Sequence, residues 1–583
     1  MAEEDEYGMV VRSASEKTEI QWDFGEDTLK FDLTIPMDCG PRAGIQMDLN
    51  ILDLPDRTDW KYQCMPKIIE VDETFQYAYF VFSTSDDRYL TVAVNSPLAA
   101  WRIKYSYAGH RMTGFQLLTQ ADDVVTGGRT TLPAVEHLSV SMMFGDSCQE
   151  CLEKLADSMQ LAIVQAPISG GFPGTELPVR MLGDSVSVTV KAPDGEESVC
   201  GQTVQLTQEG IYQIKSVSAA GYSHTSRVLC HAEWETIFDK VNRFYRDHFQ
   251  DKSGAFYRII WADTLTAGEG RNYEGSAFGK PEEIGSCRTG EFGGFAAWAM
   301  IKNQQLFGKK EEFSESIRTY IEHWALNRGH EDTSYYSTVY KKAQNFMGRE
   351  YGPYHFYQEY NYPQHEVFLM EELADYYKIC KDPDILQDAV KLAEHFMEEH
   401  IQEEGMVVCE NHPGKIIDYS TVHATVCGFI RLAELLKEKD REKSQAFMQQ
   451  AEKIADYVCR RGLAFPTEGE PCTEDGSMAC SVITLLWAYI HIGSKAEYLE
   501  TAERILHSHR MLVLDGTDCR MKNSSLRFWE TQYETRDWGP SINVGHAWTI
   551  WGAEAMALMA LIKCDISLLK DSYEGGLLRI FVK

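Results

Sequence analysis

Three carboxylates stand just ahead of long apolar stretches, each among aromatic and amide side chains. Glu359 lies in QEYNYPQHE, Asp418 in IIDYSTVH and Glu530 in RFWETQYETRDWG. Carboxyl groups in unlike surroundings can divide the work of cleaving a glycosidic bond. One, protonated, donates to the leaving oxygen, and the other, ionised, serves as base or nucleophile. Each also has a plainer role open to it. Asp418 is placed to N-cap the helix that follows. Glu359 can be a solvated loop acid ahead of a helix-starting proline, and Glu530 can hydrogen-bond within its own loop.

The neighbouring residues fit a sugar. Arg288, in the Gly-rich SCRTGEFGG, is the first candidate to grip a substrate carboxylate. An ion pair with Glu291 is its alternative, and Arg527 and Arg536 are reserves. His365, His423 and His546 fall in the first turns of apolar stretches, where they either hold hydroxyls or are satisfied core histidines. Tyr362, in the aromatic run Tyr351–Tyr362, and Trp538, heading WGPSINVGH, offer faces for a sugar ring. Trp538 could equally staple a helix start, and part of the tyrosine run belongs in a core. Tyr362, Tyr419 and His365 could instead abstract a proton beside a neutralised carboxylate.

What must position these residues is a repeat. Gly290–Asn303, Gln364–Ile379, Tyr419–Leu436, Gly476–Ile492 and Asn543–Ile562 are rich in Ala, Gly, Leu and aromatics, with few charges on any face. All but the last precede a charged amphipathic stretch such as DPDILQDAVKLAEHFMEEH. The first type suits helices buried on all sides, the second helices with one wet face. Residues 233–563 have room for six such hairpins of about 55 residues each, which can close into an (α/α)6 toroid. The loops entering the inner helices would then share one mouth, where helix N-termini favour an anion.

Before residue 232 the pattern is different. Short alternating runs such as Thr28–Ile35, Tyr77–Ser83 and Tyr89–Val94 read as antiparallel strands, interrupted by one helix over Ser147–Ile163. The expected architecture is multidomain: a β-sandwich over 1–166, a Pro/Gly-rich linker at Pro167–Gly174, a small Ig-like β unit over 175–231, and the toroid over 232–583. The β units brace the ring, lend a loop to the cleft or mediate self-association, so a homo-oligomer remains open.

Composition excludes several classes. With 56 Lys+Arg against 88 Asp+Glu, the net charge of −32 repels nucleic-acid backbones and anionic membranes. No apolar run reaches transmembrane length, and the acidic start MAEEDEYG has no signal-peptide pattern. Fifteen irregularly spaced cysteines fit reduced thiols in a cytoplasmic protein. Cys148 and Cys151 form one C-x-x-C at a helix start, better read as ordinary helix cysteines than as a metal or redox pair. No phosphate-binding loop, dinucleotide fingerprint, nucleophile elbow or zinc spacing occurs, so neither cofactor nor metal is expected.

This layout resembles the six-hairpin glycosidases and the toroidal polysaccharide lyases. RTGEFGGFAAWAM and RFWETQYETRDWGPSINVGHAWTIWGAEA are most similar to uronate-acting members, in particular the β-glucuronidases of glycoside hydrolase family 154. The resemblance implies release of a uronic acid from an oligosaccharide or glycoconjugate. A uronate-specific lyase on the same fold and a non-catalytic carbohydrate-binding protein are the competing expectations.

Overall fold

The computed structural model describes residues 19–24, 28–34, 46–50, 64–72, 75–83, 89–94, 100–106, 111–118, 121–122, 129–130, 137–250, 254, 256, 260–261, 266–267, 290–326, 343–344, 350–351, 363–407, 419–462, 475–509, 519 and 549–577. Near the start of the chain, six antiparallel strands form one sheet. Their order is Glu19–Phe24, Thr28–Thr34, His137–Gly145, Tyr89–Val94, Phe75–Ser83, Cys64–Asp72. Gln46–Asn50, Arg111–Leu118 and Ala100–Ser106 form a second antiparallel sheet. The sandwich expected over 1–166 would need these sheets face to face, a contact that lies outside the described residues.

Strand alternation divides the first sheet between two cores. Ala93 and Met143 pack beneath helix α1 (Cys148–Ser158) with Leu152, Leu155 and Ala156. Val92 and Val140 face the other way and join the large core of the helical half. A reciprocal cap starts α1: Ser147 Oγ accepts from the Glu150 N–H at 3.1 Å, and the Glu150 carboxylate accepts from the Asp146 N–H at 2.8 Å. Cys151 of the C-x-x-C is buried in this sheet–helix core.

A five-stranded sheet follows, ordered Gly170–Gly171, Ser223–Cys230, Gly210–Ser218, Ser185–Lys191, Glu197–Val199. Gly170–Gly171 lie inside the segment read as a linker, yet pair parallel with Leu229–Cys230. A Cβ on Gly170 would come within 2.8 Å of the Leu229 carbonyl, so glycine lets the two backbones approach.

The helical half alternates as expected. The inner helices are α3 (Gly290–Phe307), α5 (Pro363–Cys380), α7 (Tyr419–Leu436), α9 (Asp475–His491) and α11 (Thr549–Lys563). Their outer partners are α4 (Glu311–Thr319), α6 (Pro383–His400), α8 (Arg441–Arg461), α10 (Ala496–His509) and α12 (Ile566–Leu577). Each inner helix packs on its outer partner and on the next inner helix. The outer helices carry the caps their sequences offer. Asp382 accepts from the Asp384 N–H at 2.9 Å, Asp440 from the Lys443 N–H at 3.1 Å, and Gly462 closes α8 at φ +56°. Ahead of them all, α2 (Trp234–Phe244) packs on α3, and its Asp239 receives Asn303 and Lys310. Among the described residues there are five hairpins plus α2, against the six hairpins expected.

Candidate functional site

Four inner helices place a chemically pointed residue at the same level. Lys302, Asp375, Arg431 and Trp487 are each the thirteenth residue of their helix. One turn earlier stand Trp298, Glu371 and Cys427, so both rows share a face of their helices. Neighbours meet across the helices at matched levels, so the inner helices run parallel. Trp298 Nε1 donates to Asp375 Oδ2 at 3.0 Å, Lys302 Nζ lies 2.5 Å from that oxygen, and Arg431 binds Glu371 directly. Gly428 makes this approach possible, because a Cβ there would strike Met370 and crowd Glu371 Cγ at 3.2 Å.

The result is a buried ion network. Arg431 reaches Asp375 at 3.5 Å, lies 4.9 Å over the Trp487 ring and 6.0 Å from that of Trp298, and Lys378 adds a third cation to Asp375 at 3.1 Å. Burial alone would raise the wholly buried Asp375. Arg431 and Lys302 outweigh it and hold the carboxyl well below the usual range. Glu371 goes the other way. Burial lifts it to about 8 despite Arg431, and Asp375 adds to the rise. The Arg431 guanidinium is held above its ordinary value, burial being overcome by Glu371 and Asp375. Burial lowers Lys302, with Arg431 adding to it against Asp375. Among the described residues, Glu371 Oε1, Glu372 Oε1 and Trp487 Nε1 are buried with no hydrogen-bond partner.

Closer to the helix starts the character changes. His423, in the second turn of α7, is buried, and its ring meets Trp551 of α11 edge-on at 6.0 Å. One turn on, Glu554 is exposed, yet desolvation is the largest influence on its carboxyl and raises it, against the pull of Arg431 and Lys302. The exposed carboxyl is thus influenced by Arg431 of α7 and Lys302 of α3, and it acts in turn on Glu371 of α5, which puts it on the side of α11 toward the other inner helices. The solvent-accessible recess on that side, above the ion network, is the candidate site.

Of the residues expected in the site, His423 is the one whose side chain is described. His365 falls in the first turn of α5, with its side chain outside the described set. Arg288, Glu359, Tyr362, Asp418, Glu530, Trp538 and His546 lie outside the described residues. The helix starts at Pro363 and Tyr419 nevertheless put Glu359 and Asp418 directly ahead of α5 and α7 in sequence. Lys302, Arg431, Trp551 and Glu554 were not expected as site groups. The signal that could have found them is a charged or indole side chain set among apolar residues of an inner helix, Glu554 in TIWGAEAMALMALI being the clearest case.

No family model matches the chain, and no curated protein matches it in sequence. Its fold has a solved counterpart. A polysaccharide lyase superposes with a TM-score of 0.63 at 14% identity, covering 95% of this chain and 79% of its own. The chain shares that protein's fold. Two lesser likenesses are a family 76 glycoside hydrolase from a bovine Bacteroides thetaiotaomicron strain and the cellobiose 2-epimerase of Bacillus thermoamylovorans. The hydrolase has a TM-score of 0.37 at 14% identity, covering 71% of this chain and 89% of its own. The epimerase has 0.39 at 11%, covering 59% and 86%.

Proposed function

We propose that the chain is a carbohydrate-processing enzyme, a glycoside hydrolase that releases a uronic acid such as glucuronic acid from oligosaccharides or glycoconjugates. The observation that carries this reading is the recess itself. Parallel inner helices bring carboxyl, cationic and indole side chains from separate parts of the chain to one place, and these are the groups a sugar acid needs. Two carboxyls among Glu359, Asp418 and Glu530 share the chemistry. The protonated one donates to the leaving oxygen as the glycosidic bond breaks, and the ionised one activates water or attacks the anomeric carbon. Arg288 grips the substrate carboxylate, Tyr362 and Trp538 stack on the ring, and His365, His423 and His546 hold hydroxyls. Lys302 and Arg431 below the recess offset the repulsion between an anionic sugar and a chain of net charge −32.

A lyase is the second reading, favoured by the likeness in fold to a polysaccharide lyase. In it, Arg288 neutralises the uronate and Tyr362, Tyr419 or His365 takes the proton beside it. A panel of nitrophenyl glycosides and acidic oligosaccharides separates the two. Released nitrophenol and a free uronic acid support hydrolysis, an unsaturated uronate absorbing in the ultraviolet supports elimination, and turnover of neutral glycosides alone overturns both.

A further inference from the structure

From Thr549 to Ile562, inner helix α11 reads TIWGAEAMALMALI, and Glu554 is its sole charge. A charge in an otherwise apolar helix is tolerated where a partner pairs it or water reaches it. Ordinary structural uses fail for Glu554. Among the described residues it makes no hydrogen bond and no ion pair, and it is exposed to solvent within surrounding protein. It stands three residues after Trp551, on the same helix face, and Trp551 meets His423 across from α7. An acid, an indole and an imidazole therefore line one stretch of the recess wall.

The charges around it are mixed. It is coupled to Arg431 and Cys427 of α7, to Lys302 of α3 and to Glu371 of α5, while His423 of α7 meets its helix neighbour Trp551. Neighbouring α9 brings no charge between Gly476 and Ile490, and His509 of α10 packs against Gly552, two residues before Glu554. Arg431 is already bonded to Glu371 and Asp375, and Lys302 to Asp375, so they influence Glu554 through space without capturing it.

We propose that Glu554 is a further catalytic residue: it passes its proton to the leaving oxygen of a bound glycoside as the anomeric carbon–oxygen bond breaks. Water adds at that carbon and yields its proton to the ionised carboxylate that serves as base in the hydrolase reading. Solvent then returns a proton to Glu554. This step rests on the glycosidase reading and changes one part of it: the acid role given there to one of three loop carboxyls passes to Glu554 of α11, and the base role stays with those three.

The test compares wild type and Glu554→Gln on two glucuronides, one with a nitrophenyl and one with a methyl leaving group. Nitrophenolate departs without a proton, whereas methoxide requires one. The expected result is a kcat lower by about 100- to 10,000-fold on the methyl substrate, a much smaller loss on the nitrophenyl one, little change in KM, and loss of the alkaline limb of the pH profile. Unchanged kcat on both, or equal losses on both with the alkaline limb intact, overturns the assignment while leaving the glycosidase reading standing. A wild type inactive on both overturns that reading, and this step with it.

Discussion

Asp375 is the hinge of the polar network at the level of single residues. It is wholly buried and bonded to Lys302, Lys378, Arg431 and Trp298. Removing one member of a buried ion network leaves the others uncompensated, so Asp375→Ala should lower stability by about 3–5 kcal/mol in denaturant unfolding. Unchanged stability would mean that the cations find water instead. Glu371 gives a pH signature of known sign. Its carboxyl rises in the fold from 4.5 to about 8, so the native state binds the proton more tightly. That stabilisation is complete below about pH 4.5 and fades as pH climbs through 8. Glu371→Gln removes the titration, so its melting temperature should fall less than that of wild type between these values. Parallel curves would contradict the assignment. None of this was legible in the sequence: Glu371 and Asp375 look there like two acids of an ordinary helix, and only the packing register brings Arg431 and Lys302 to them.

Among the elements, the inner helices were the most legible part. An apolar run with no wet face must be buried all round, and the stretches expected at Tyr419–Leu436 and Gly476–Ile492 are helices at Tyr419–Leu436 and Asp475–His491. Gly170–Gly171 went the other way, because Gly/Pro-rich composition speaks for a loop while tertiary pairing with Leu229–Cys230 decides. The expected carboxylates Glu359 and Asp418 stand ahead of α5 and α7 in sequence, outside the described residues. The charges inside the inner helices were not expected as site groups, since a charge in an apolar run reads first as an interruption. At this scale Gly428 sets how closely α5 and α7 approach. Gly428→Val should cost about 1–3 kcal/mol and separate Arg431 from Glu371. A melting temperature equal to that of wild type would show that Met370 simply swings aside.

Across the whole molecule, the β units and the ring share interfaces. Val92 and Val140 of the first sheet belong to the core of the helices. At the other end of the chain, α12 docks on the small β unit. Glu574 accepts from the Ser169 N–H and hydroxyl at 2.8 and 2.9 Å, Tyr573 OH lies 2.7 Å from His231 Nε2, and Leu577 packs on Leu229. Glu574→Ala strands the buried Ser169 N–H and should cost about 1–3 kcal/mol. Because the last helix of the ring is itself the clasp, thermal unfolding should stay a single transition at a lower temperature; two separated transitions would show that β unit and ring fold independently.

Whether the inner helices and the residues ahead of them in sequence together hold a sugar acid, as proposed, is decided by turnover of a nitrophenyl β-glucuronide, set beside the matching glucoside, by wild type and by the Glu359→Ala/Asp418→Ala double variant. Wild type should cleave the glucuronide in clear preference, and the double variant should lose at least about 100-fold in kcat. A double variant that turns over at the wild-type rate, or a wild type that prefers the glucoside, would overturn the proposal.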